Sequence, residues 1–182
     1  MASGDRTEAV GRRTFIAFGD SLTQQGFAEG NWVARVADAY QRKADVLNRG
    51  FSGFTTRVGL PMLDAVFPPG APRAAVATVF FGANDAADGK ASTDSALQDV
   101  PLDEFRANLT AIVRRAVSAA DAVVVMGAPP LDEVVWQDRK NARTAQYAVV
   151  AGEVAASEKA LFLDCFQVFA GCAAADVAAG RV

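Results

Sequence analysis

Apolar positions along the chain switch repeatedly between the period of a strand and that of a helix. Thr14 to Phe18 is a short apolar run that meets Gly19, the pattern of a buried strand entering a tight turn. Trp32, Val33, Val36, Ala37 and Tyr40 then recur on one helical face, and Asp45 to Asn48 reads as a second strand running into Arg49-Gly50-Phe51-Ser52-Gly53. The stretch from about Val58 to Phe67 predicts a helix ended by Pro68-Pro69-Gly70. Ala74 to Phe81 is apolar on both faces, as a central parallel strand covered by helices above and below must be. Phe105, Leu109, Ile112, Val113, Ala116 and Val117 give a helix across Leu102 to Ala120, followed by a strand over Ala122 to Met126. A long helix from about Asp138 to Lys159 and a short strand over Leu161 to Leu163 come last. The Ala-rich tail from Ala173 to Val182 carries no clear period.

This alternation predicts an α/β domain, a doubly wound five-stranded parallel sheet with helices on both faces. The expected divisions are a flexible segment at 1–13, one domain over 14–170 and an irregular tail at 171–182. The 182 residues, 51% of them hydrophobic and 21% charged, are enough for one well-buried core without metal or disulfide. The formal charge of -3 is not gathered into any basic block, which argues against a nucleic-acid partner. Cys165 and Cys172 have no histidine to share a metal with, since the chain contains none. A reduced, cytoplasmic protein without metal is the expectation, and no apolar run reaches membrane-spanning length.

In open parallel sheets, ligands bind at the carboxyl ends of the strands. The loops there are Gly19-Asp20-Ser21-Leu22, Gly50-Phe51-Ser52-Gly53, Gly82-Ala83-Asn84-Asp85 and Gly127-Ala128-Pro129-Pro130. Ser21 stands where a helix should start, so it reads either as an N-cap or as a projecting hydroxyl with its own N–H facing the same space. Gly53 allows a close backbone approach, and Asn84 offers a neutral amide donor. With the Ser21 N–H these make three donors able to converge on one carbonyl oxygen, an arrangement in which each donor is worth roughly 2.7–4 kcal/mol of barrier. The structural alternatives are an ordinary turn glycine at 53, an Asx-turn at Asn84 and a turn carboxylate at Asp20. Trp32, Tyr40 and Trp136 read as core or rim packing.

Phe18-Gly19-Asp20-Ser21-Leu22-Thr23-Gln24, Gly50-Phe51-Ser52-Gly53-Phe54-Thr55-Thr56 and Phe81-Gly82-Ala83-Asn84-Asp85 resemble, in order and spacing, the first three blocks of the SGNH or GDSL hydrolase family. Asp45 to Gly53, Phe80-Phe81, Val100-Pro101-Leu102 and Ala128-Pro129-Pro130-Leu131 are similar to the isoamyl-acetate-hydrolysing esterase branch. The resemblance runs from about Thr14 to Phe169. It implies a flavodoxin-like three-layer α/β/α fold and hydrolysis of small, acetate-like carboxylic esters through an acyl-enzyme, without cofactor. Ser21 would be the nucleophile, with the Ser21 and Gly53 N–H groups and the Asn84 side chain as oxyanion hole and Asp20 part of the motif loop. By analogy with flavodoxin-like folds, Ser21, Thr23, Gln24 and Gln25 would alternatively hold a flavin phosphate, although no G-x-G-x-x-G follows the first strand.

The sequence departs from the family in its fourth block, D-x-x-H, whose histidine is the general base. Asp164 follows the fifth strand without a histidine, and Asp176-Val177-Ala178-Ala179 has Ala in the histidine slot. An exposed carboxylate with a pKa near 4 is a poor acceptor for a serine proton. Losing the base costs on the order of 10⁶ in turnover and leaves about 10³–10⁴ over water. The expectations are therefore a C-terminally truncated domain with impaired hydrolysis, or alternatively a non-catalytic ester- or acyl-binding protein of the same fold. An uncovered sheet flank is also expected to drive self-association.

Overall fold

The structure, a computed structural model, describes residues 11–181. Five parallel strands, β1 (Arg13–Gly19), β2 (Ala44–Gly50), β3 (Ala74–Phe80), β4 (Ala120–Met126) and β5 (Leu161–Leu163), form one sheet in the order β2-β1-β3-β4-β5. The helical segments are α1 (Ser21–Gln24), α2 (Trp32–Ala39), α3 (Thr56–Gly59), α4 (Leu63–Val66), α5 (Thr93–Gln98), α6 (Leu102–Ala119), α7 (Asn141–Ser157), α8 (Cys165–Ala170) and α9 (Ala174–Ala178). The chain steps from β1 out to β2 and then back across to β3. The strand order therefore reverses between β1 and β3, where such sheets leave a crevice at the carboxyl end.

Successive residues of a strand face opposite layers, which divides the core in two. On one face, Ile16, Phe18, Val79 and Val125 are buried together with Phe105, Leu109 and Ile112 of α6 and with Tyr147 and Val150 of α7. On the other, Phe80 and Met126 pack with Trp32 of α2, Leu22 and Cys165. The sheet is thus the middle of three layers, as its unbroken apolar runs required.

Several elements differ from the pattern-based expectation. The helix expected over Val58–Phe67 is broken into α3 and α4 by a 3-10 turn at Leu60–Met62. Pro61 lies in that turn and lacks the N–H that an α-helix interior needs. The long helix starts at Asn141 rather than Asp138, so Asp138 and Arg139 belong to the preceding loop. The tail expected to be irregular at 171–182 contains α9, where Ala174 is buried with Ala145, Ala148 and Phe166. A five-residue helix is too short to display a period of its own. Of the segment expected to be flexible, residues 1–10 lie outside the described residues, and Arg13 already belongs to β1.

Candidate active site

All five strands finish level. Gly19 is opposite Gly50 and Phe80, Phe80 is opposite Met126, and Met126 is opposite Leu163. The post-strand loops therefore leave one common edge of the sheet. The first loop lies directly on the end of β2: a Cβ at Gly50 would stand 2.0 Å from the Gln24 backbone nitrogen, so only glycine permits the approach. Asn48 locks the two together, donating from Nδ2 to the Thr23 carbonyl at 2.7 Å and accepting at Oδ1 from the Gly50 N–H at 2.8 Å. The Gln24 side chain accepts from the Ser52 N–H, joining the first two blocks once more.

Ser21 is the first residue of α1 and not its cap. That role falls to Asp20, whose Oδ1 accepts from the Leu22 N–H at 2.9 Å. Freed from capping, half-buried Ser21 borders a cleft of about 230 Å³ with Asn84, Pro129, Pro130, Trp136 and Arg139. Asn84 forms no local Asx-turn with its side chain. Its Nδ2 donates to the Phe54 carbonyl at 2.8 Å, and its Oδ1 accepts from Arg139 Nη2 at 3.1 Å. Gly53 is exposed, with φ 79°, and does not wall this cleft. It precedes Phe54, and its carbonyl accepts from Gln98 Nε2 at 3.4 Å.

Two carboxyls, Asp20 beside Ser21 and Asp85 beside Asn84 in the chain, are buried. Asp85 Oδ1 accepts from the Thr56 hydroxyl at 2.5 Å and the Thr56 N–H at 2.9 Å. In both Asp20 and Asp85 the second oxygen, Oδ2, has no hydrogen-bond partner among the described residues. Burial pushes the Asp20 carboxyl up to about 7; the bond from Leu22 opposes this, the Asp85 charge adds to it, and Arg139 lowers it. Burial likewise pushes Asp85 up to about 6 against its bonds from Thr56. Both acids spend part of their time neutral near pH 7, as a low-dielectric site dictates.

Arg139, 8% exposed, and the exposed Trp136 were not anticipated as cleft residues. The sequence reads Trp136 as core or rim packing and offers Arg139 only as one charge in a polar stretch, and only the fold brings that loop over Asn84. The remaining acids sit elsewhere. Asp164 caps α8, accepting from the N–H groups of Phe166, Gln167 and Ala174, while Asp176 pairs with Arg181 at the surface. Burial pushes the Cys165 thiol up to about 12, so it is no nucleophile at neutral pH. Among the described residues no three His, Cys, Asp or Glu side chains gather as a metal site, and no helix is long and apolar enough to cross a membrane.

A parallel α/β/α sheet with a serine at the end of β1 and an asparagine at the end of β3 defines an SGNH-hydrolase-type fold. The chain superposes on the lipase/acylhydrolase from Enterococcus faecalis with a TM-score of 0.70 at 25% identity, covering 90% of this chain and 82% of that one. It also superposes on AlinE4, an SGNH-hydrolase family esterase, with a TM-score of 0.65 at 23% identity, covering 87% and 78%. Residues 17–180 match the GDSL-like Lipase/Acylhydrolase family, and the chain belongs to it.

Among its relatives are a GDSL esterase/lipase of Arabidopsis thaliana, 43% identical over 67% of this chain, and the isoamyl acetate-hydrolyzing esterase 1 homolog of Mus musculus, 37% identical over 86%. The matches cover 51% of the plant protein and 62% of the mouse one. The chain thus spans about half to three fifths of the length of these relatives.

Proposed function

We propose that these residues form the nucleophile and oxyanion side of a serine ester hydrolase acting on small, acetate-like carboxylic esters. The carrying observation is that Ser21 and the Asn84 amide, 63 positions apart in the numbering, border one narrow cleft with apolar proline walls. Ser21 Oγ attacks the ester carbonyl while its proton passes to solvent water, the C–O bond to the alcohol breaks, and the departing alkoxide takes a proton from solvent, leaving acyl-Ser21 and the free alcohol. The carbonyl oxygen, negative in the tetrahedral state, is met by the Ser21 N–H and by Asn84 Nδ2, while the Gly53 N–H, outside the cleft lining, would join them only if its loop moved inward. A cleft of about 230 Å³ suits a short acyl group rather than a long chain. The names of the relatives support this class. We further propose a cytoplasmic setting.

The 182 residues supply no imidazole to take the serine proton. The hydrolysis expected of them is accordingly slow, with acylation of Ser21 the observable step. That same lack favours a second reading, a protein that binds esters without cleaving them.

Incubation of the purified chain with p-nitrophenyl acetate separates the two. Acetyl mass on the Ser21 peptide, absent in Ser21→Ala, is the result expected of a hydrolase. Binding of the ester with p-nitrophenolate release no faster than in Ser21→Ala would establish the binding protein instead.

A further inference from the structure

We propose that Arg139 is a positioning residue for Asn84: its guanidinium fixes the side-chain amide so that one Nδ2 hydrogen points into the Ser21 cleft. The inference rests on reading that cleft as a carbonyl site, and its test is built so that the two can fail separately.

A primary amide can sit either way round, and only one orientation offers a donor. In this site the neighbours decide. Asn84 Oδ1 faces Arg139 Nη2 at 3.1 Å and Nδ2 faces the Phe54 carbonyl at 2.8 Å. Turning the amide over would set its NH₂ against a cation and its oxygen against another carbonyl, replacing two hydrogen bonds with two repulsions. In the observed orientation one Nδ2 hydrogen is held by Phe54, and the other is the one left for a ligand. The cation on the amide oxygen also polarises the group and strengthens that hydrogen as a donor.

Arg139 is occupied in a way that suits holding rather than binding. Its Nε donates to the Ala83 carbonyl at 3.0 Å, Nη2 also donates to Gln98 Oε1 at 2.6 Å, and Nη1 meets both Asp138 oxygens at 3.2 Å. All three guanidinium nitrogens are thereby engaged, and the group lies 5.1 Å from the Trp136 ring centroid. Lysine cannot reproduce this, because one ammonium cannot reach Ala83, Asn84 and Gln98 from a single plane. The charge also draws the buried Asp20 carboxyl down.

The test is a double-mutant cycle on Arg139 and Asn84, read by the rate of Ser21 acetylation from p-nitrophenyl acetate and by NMR of the Asn84 side-chain NH₂. Arg139→Ala is expected to slow acetylation about 10- to 100-fold, approaching the loss of one oxyanion donor, and to do so through the rate at saturation rather than KM. In Asn84→Ala the further change Arg139→Ala is expected to alter the rate less than twofold, while still lowering Tm; a residue of merely structural importance would cost the same in both backgrounds. Arg139→Lys should behave like Arg139→Ala. Independently of any acylation, the Asn84 NH₂ resonances should shift and exchange with solvent at least tenfold faster once Arg139 is lost.

Additive rate losses, or Asn84 resonances and exchange unchanged in a folded Arg139→Ala, would overturn the proposal. Should Arg139→Ala not fold, Arg139→Gln takes its place in both measurements. If the unmodified chain shows no Ser21-dependent acetylation, the hydrolase reading fails and the NMR comparison alone decides the role of Arg139.

Discussion

The edge of the sheet around Ser21 and the flank formed by β5 and α8 are built on opposite principles. At the first, buried and half-buried polar groups are tied between distant segments: Asn48 to Thr23, Asp85 to Thr56, Asn84 to Phe54 and Arg139. At the second, large apolar groups are exposed, with Leu161 at 63%, Val168 at 57% and Phe169 at 71%. Beside that flank lies a groove of about 560 Å³ lined by Leu22, Trp32, Phe80, Met126 and Leu163. Buried polar groups without partners are costly, so the first region admits few arrangements. Exposed apolar groups cost little individually, so the second is tolerant of change.

The comparison is broken most directly by the same substitution in both regions. Gly50→Ala drives a methyl into the Gln24 backbone and is expected to cost more than about 3 kcal/mol or to prevent folding. Gly171→Ala meets nothing within 4 Å and pays only for its φ of 70°, about 1 kcal/mol. Urea unfolding of the two variants measures the difference, and similar costs would remove the contrast.

Next in size is the dependence on pH. Asp20 and Asp85 hold protons in the folded chain up to about 7 and about 6, whereas in the unfolded chain they release them near 3.8. Between those values the folded state binds more protons, so their contribution is complete below pH 3.8 and declines as pH rises to about 7. The loss between pH 5 and pH 8 is expected to be on the order of 4 kcal/mol, about two thirds of it from Asp20. Asp20→Asn keeps an acceptor for Leu22 and should flatten the profile; thermal melts at the two pH values that keep their full separation in this variant would assign the dependence elsewhere.

The smallest stability effect belongs to the flank. Phe169→Ser is expected to change unfolding free energy by less than about 0.5 kcal/mol, since the side chain is already in water. We propose that the same change lowers self-association of the chain, because it removes part of the exposed apolar surface. Sedimentation velocity over a range of concentrations checks this, and an unchanged distribution in Phe169→Ser would place any association on another face.

Much of the architecture is local in origin. The strands of Thr14–Phe18 and Ala74–Phe81 are apolar enough to be recognised as central, and the helix of Phe105 to Val117 shows its buried face in its spacing. Ser21, Asn84 and the glycines around them were identifiable because each sits at the end of an apolar run, where a turn must follow. By contrast, the capping of α1 by Asp20 rather than Ser21, the break at Pro61 and the short α9 depend on geometry within a few residues that a period does not resolve.

The hydrophobic pattern alone was sufficient to set the five strands and the longer helices between them and to send the post-strand loops to one edge, because burial of alternate or every fourth side chain is a property of short stretches; the short helices Thr93–Gln98 and Cys165–Ala170 left no such period. Partnership across that edge was not set in this way. Arg139 meets Asn84, and Asp85 meets Thr56, only after parallel strands are aligned in register, since a hydrogen bond needs atoms within about 3 Å and chain proximity cannot supply this across dozens of residues.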